Sequence, residues 1–216
     1  MFSTKLIAAL SMLFALNWGS QTRTSHSTLA TKLDVDSQSI SSVNYVSFLL
    51  RQANAWGGIE EYTGCDPDPD LRMPPLNGTL QDGLIQLRAQ DTSLNWKAEQ
   101  DGIVVSRNAP KESFLDTRIE KIEFAKFDPM DKITDALLNA PAVQRRITAQ
   151  NLTVRSPELG FAQAKVDSEE QLTLENVTLR QALNAVARSG SRPRVWLFRQ
   201  TTCNGQKTIL VQWLVR

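Results

Sequence analysis

Leu76-Asn-Gly-Thr-Leu-Gln-Asp-Gly-Leu84 and Leu174-Glu-Asn-Val-Thr-Leu-Arg-Gln-Ala-Leu183 decide the fold, because they are two copies of one cassette. The first runs on to Trp96 and Gly102-Ile-Val-Val-Ser106, the second to Trp196 and Ile209-Leu-Val-Gln-Trp213. Thr79 with Asp82, and Thr178 with Gln181, have capping-box spacing: the hydroxyl accepts the N–H three residues on, and the acid or amide accepts the threonine N–H. Leu80, Leu84 and Leu87 form the buried stripe of the first helix. Gly83 and Ala182, each beside a leucine, let both helices lie close to a sheet. After each tryptophan, apolar residues alternate as in a strand, around turns at Gln100-Asp-Gly102 and Asn204-Gly205. Strand, capped helix, strand, turn, strand, used twice, predicts an α+β fold of two tandem small βαβ-type units with helices packed on small mixed sheets.

Working outward, Ser41 or Ser42 caps a helix through Val43, Val46, Leu50 and Ala53, and Trp56-Gly57-Gly58 ends it. Ile59 to Tyr62 reads as a short strand. Asp66-Pro-Asp-Pro-Asp70 and Pro74-Pro75 enclose a loop, since proline lacks the N–H that regular structure needs. Leu115 to Phe124 reads as one long strand, an additional leading strand that only the second unit has. Asp128-Pro129 starts a helix with proline at its first position, and Pro141 stops it. The polar stretch 156–170 reads as a loop. The expected organisation is a signal peptide at 1–20, a flexible leader at 21–40, a first unit at 41–107, a linker at 108–114 and a second unit at 115–216.

The signal-peptide reading rests on Lys5, the short apolar core Leu6–Leu16 and the small residues Gly19-Ser20. It implies export to the periplasm or beyond, with no stable membrane span after cleavage. The 24 basic and 23 acidic residues leave a net charge of +1, which gives no footprint for nucleic acid. The single histidine, His26, falls in the leader, so the folded part has no imidazole for a nucleophile–histidine pair. No cofactor is expected.

Few residues are candidates for chemistry. Cys65 and Cys203 are the only cysteines. In an exported chain they form a disulfide or stand as two separate loop thiols. Asp66, Asp68 and Asp70 alternate like the first half of a calcium loop, but Leu71 stands where that loop needs glycine and Asn77 where it needs glutamate. No metal is expected there. Glu60 and Glu61, adjacent on a strand, point to opposite faces and read as surface charge. Trp96 and Trp196 occupy matching cassette positions and read as core. Trp213 reads either as core or as a docking residue on a terminal edge strand.

Gly57-Gly-Ile-Glu, then Leu76-x-Gly-Thr-Leu-x-x-Gly-Leu84, an aromatic strand and Gly102-Ile-Val-Val together resemble the short N-terminal domain shared by secretins and TonB-dependent receptors. The likeness covers about 42–107, with a weaker copy over 115–216. It implies a noncatalytic module that docks on other proteins, and no site residue carries over. The expected function is therefore an exported protein-binding or assembly module whose partner is a protein of the cell envelope, contacted through sheet edges. The alternative is a secreted enzyme or carbohydrate-binding protein that uses the acidic Pro-rich loop.

Overall fold

A computed structural model describes residues 28–66, 69–99, 102–125, 128–156, 171–189 and 194–214. The stretch read as a signal peptide, His26, Asp68, the Gln100-Asp101 pair read as a turn and most of the 156–170 stretch read as a loop lie outside the described residues. The fold is α+β. In chain order the first half contributes β1 (Lys32–Val35), β2 (Gln38–Ser41), α1 (Ser42–Gln52), β3 (Gly57–Thr63), β4 (Asp70–Met73), β5 (Leu76–Thr79), α2 (Leu80–Gln90), β6 (Leu94–Glu99) and β7 (Gly102–Arg107). The second half, after a 3-10 turn at Phe114–Asp116, contributes β8 (Arg118–Phe124), α3 (Met130–Leu138), α4 (Pro141–Ala149), β9 (Leu152–Val154), β10 (Leu172–Thr178), α5 (Leu179–Arg188), β11 (Val195–Cys203) and β12 (Gln206–Leu214).

One six-stranded sheet, in the order β6-β7-β3-β11-β12-β9, takes three strands from each half. β7, β3 and β11 run parallel, while β6 is antiparallel to β7, β12 is antiparallel to β11 and β9 is parallel to β12. Its two faces carry separate cores. Ile59, Ile103, Val105, Val195 and Leu197 face a cluster with Leu49 and Leu50 of α1 and Leu84 and Leu87 of α2. Val104, Trp196, Phe198, Ile209, Val211 and Trp213 face the other cluster, with Ile133, Val143, Leu183 and Val186 of the second half's helices. The alternation along β7 and β11 follows from the two-residue period of a strand. The first half's helices thus cover one face and the second half's cover the other.

The capping boxes form at Thr79 and Thr178, and Ser41 caps α1. Asn204 and Gly205, with φ of 50° and 78°, make the tight turn between β11 and β12. Several expectations need correction. The stretch read as leader contributes β1 and β2, with Leu33 and Val35 buried. β1 gives the first half its own leading strand. It pairs Lys32 with Thr79 as β8 pairs Arg118 with Thr178. Leu80 N–H donates to the Thr31 carbonyl as Leu179 N–H does to Thr117. Composition hid β1 because four residues with two apolar ones are too short to stand out. The long strand read from Leu115 begins only at Arg118, since Ser113 caps the 3-10 turn before it. Pro129 is the N-cap of α3 rather than its first residue, and Pro141 opens α4 instead of only ending a helix. Proline suits that opening position because its missing N–H would have no partner there.

Candidate functional site

The two halves meet where β3 and β11 lie side by side, from Gly57 opposite Val195 to Thr63 opposite Thr201. Two residues beyond that ladder Cys65 and Cys203 form a disulfide, with Cα atoms 4.8 Å apart, the spacing of neighbouring strands. The bridge continues the strand register, and the Thr63 and Thr201 hydroxyls meet one step earlier at 3.1 Å. At the opposite end Gly58 lies under the Trp196 ring. A Cβ at Gly58 would stand 1.9 Å from that ring, so only glycine fits.

Glu60 and Glu61 point to opposite faces as a strand requires, but both are buried, at 2% and 0% exposure, which corrects the surface reading. Burying a carboxylate is tolerated only with charged or hydrogen-bonding partners, and each has them. On the second half's face, Arg180 Nη2 donates to Glu60 Oε2 at 2.7 Å. The Tyr62 hydroxyl donates to Glu60 Oε1 at 2.9 Å, and the Ser113 hydroxyl donates to the same oxygen. Arg180 also pairs with Asp116. On the first half's face, Glu61 sits between Arg107, at 3.2 Å, and Arg199, at 2.5 Å. Arg107 continues to Asp91 at 3.2 Å. Burial pushes the Tyr62 hydroxyl well above its ordinary value, and the Glu60 charge adds to that. Burial alone would lower Arg180, but Glu60 and then Asp116 outweigh it and raise it. Both networks cross the seam and hold the halves together.

These acids therefore do not converge on a cleft. Asp66 and Asp70 are exposed, and Asp70 is taken up in β4 opposite Ser41. Among the described residues no set of three histidine, cysteine or acidic side chains could hold a metal ion. Trp196 is fully buried, with its indole N–H donating to Asn184 Oδ1 at 2.8 Å, whereas Trp96 is only partly buried. Trp213 is 6% exposed, its indole N–H donates to Thr134 Oγ1 at 2.9 Å, and its strand has β11 on one side and β9 on the other. The structure thus packs the Trp213 ring in the core instead of presenting it to a partner.

Among the described residues β6 has β7 as its only strand neighbour, and β9 has only β12. Lys97, exposed at the middle of β6, pairs with Glu99 at 2.6 Å. Charge on an edge strand is a common guard against indiscriminate pairing. Beside β9, on the sheet face turned away from the second half's helices, Arg155, Arg199, Thr201, Leu210 and Gln212 line an open groove. Among the described residues no helix is long and apolar enough to cross a membrane. Comparison with protein-family models, curated proteins and solved structures finds no match for this chain.

Proposed function

We propose that this protein is a noncatalytic, exported protein-binding or assembly module of the cell envelope, engaging its partner by strand addition at an end of the central sheet. The observation that carries this reading is the sheet itself, which among the described residues is six strands wide and ends in two strands with one neighbour each. A bare edge offers a row of backbone donors and acceptors that a partner strand can satisfy. The acids that the enzymatic alternative needs favour the same reading. Glu60 and Glu61 are buried on opposite faces and engaged by arginines, which suits cohesion rather than proton transfer. The Cys65–Cys203 bridge fits an oxidising compartment, in keeping with the signal peptide. The likeness to the short domain of secretins and TonB-dependent receptors, carried by the residues quoted above, points the same way.

The test is photocrosslinking from Lys97 in β6 and Thr153 in β9, in cells producing the full chain. A discrete protein adduct from either edge, lost when proline removes the outward backbone N–H beside the crosslinker, at Ala98 in β6 or Val154 in β9, is the expected result. A chain that gives no adduct from either edge overturns the reading.

A further inference from the structure

Counting from matching landmarks, the sheet strands of the two halves are equivalent in pairs: β6 with β11, β7 with β12, and β3 with β9. Asn54 and Asn151, both at φ 51°, mark the same turn before β3 and β9. Each half therefore contributes the same three-stranded order, β6-β7-β3 and β11-β12-β9. At the seam, the last strand of the first triplet pairs in parallel with the first strand of the second. Strand direction and helix-covered face both reverse between the halves. The operation relating them is a half-turn about a line across the sheet, combined with a step of three strands, roughly 14 Å at about 4.8 Å per strand.

Such a contact joins two different surfaces and does not close on itself. Applied once more, the same step sets another β6 beside β9, again in parallel. The two ends of the sheet are therefore the two halves of an interface that the molecule already uses internally. We propose that the occupant of these ends is a second copy of this chain, joined head to tail with the β6–α2 end of one molecule on the β9 end of the next. This rests on the edge-docking reading above and names its partner.

A separate observation falls in the same places. Among the described residues the large apolar side chains left exposed are Ile85, at 52%, and Val154, at 40%. Measured from the caps Thr79 and Thr178, Ile85 on α2 is the counterpart of Asn184 on α5. At the internal seam Asn184 is 1% exposed and reaches across to Glu99 of β6 at 3.2 Å. Measured from Asn54 and Asn151, Val154 is the counterpart of Gly57, which is buried opposite Val195. The exposed apolar residues thus stand one on each proposed mating surface. The groove lined by Arg155, Leu210 and Gln212 is the counterpart of the sheet face over which α5 packs in the first half. An incoming α2 would lay Ile85 against it.

The test is sedimentation of the disulfide-intact protein over a range of concentrations, with Ile85→Glu and Val154→Glu variants. Wild type is expected to form an open series of dimers, trimers and longer chains. Either substitution blocks one end and weakens self-association about a hundredfold, since a carboxylate would be buried without a partner. Mixing the two variants leaves one intact junction, so a one-to-one dimer and nothing larger should form. That complementation also shows that both variants are folded. A wild type that stays monomeric at millimolar concentration overturns the proposal. So does a dimer that neither variant disturbs, or a mixture that does not pair. An edge adduct to a different protein, with the chain itself monomeric, overturns self-association and leaves the protein-binding reading standing. An adduct within the same molecule puts another stretch of chain on that edge and overturns both.

Discussion

Removing the Cys65–Cys203 bridge should cost a large share of the protein's stability without disturbing its folded structure. The bond spans 138 residues. Chain-entropy arithmetic for a loop of that length gives about 5 kcal/mol, as freedom restored to the unfolded chain. In the folded state the neighbouring strands stay in register through the β3–β11 ladder, so the reduced protein should keep its native signals. The assay is urea unfolding of the oxidised protein, the reduced protein and a Cys65→Ser/Cys203→Ser variant, followed by Trp fluorescence and far-ultraviolet circular dichroism. With a urea slope of roughly 2.5 kcal/mol per molar, the midpoint should fall by roughly 2 M. A midpoint shift under about 0.5 M at unchanged slope would refute the entropic argument. Loss of native fluorescence on reduction in the absence of urea would refute it differently, by showing that the bond holds the seam together directly.

Three further outcomes are expected. Glu61→Leu leaves Arg107 and Arg199 without their shared carboxylate and should cost about 3 kcal/mol in chemical unfolding. That is the low end for a broken buried pair, because Arg199 is 36% exposed and Arg107 keeps Asp91. Gly58→Ala drives a methyl into the Trp196 ring and should cost about 3 kcal/mol, the upper end for an overpacked core, with a shift in the Trp emission of the folded state. The Thr79 N–H and hydroxyl hold the exposed Asp82 carboxyl below its ordinary range. Its contribution is therefore present above the unfolded aspartate value of about 3.9 and is lost as pH falls through the lower folded value. Asp82→Asn should flatten that acid limb in thermal melts taken between neutral and strongly acid pH.

The cassettes were legible because each carries its own local signals: a cap, a leucine stripe, a tryptophan and a turn. Thr79, Thr178 and Asn204-Gly205 act within a few residues of themselves, so no knowledge of the rest of the chain is needed to read them. The partnership of β3 with β11 depends on residues far apart in sequence, and neither strand's pattern says which neighbour it takes. One clue was present. Assuming a Cys65–Cys203 bond between adjacent parallel strands fixes the offset, and with it every pair from Gly57–Val195 to Thr63–Thr201. Glu60 and Glu61 looked like surface charge for the same reason. Their partners Arg180 and Arg199 come from distant elements, and nothing local announces a buried carboxylate. Two glycines set one residue before two acids could have signalled a strand crowded from both faces, because Gly58 is needed only if a bulky ring arrives from elsewhere.

The seam also dictates the order in which the molecule can mature. β3 is made early and then waits, with one flank bare and two acids lacking their full complement of cations, until β11 has been synthesised. An emerging chain therefore passes through a long interval as an adhesive half-product, and final closure requires bringing together segments far apart along the polymer, which is intrinsically slow. A cell making this protein would gain from a holding factor during that interval. A fragment ending after β7 should precipitate rather than behave as a small independent domain.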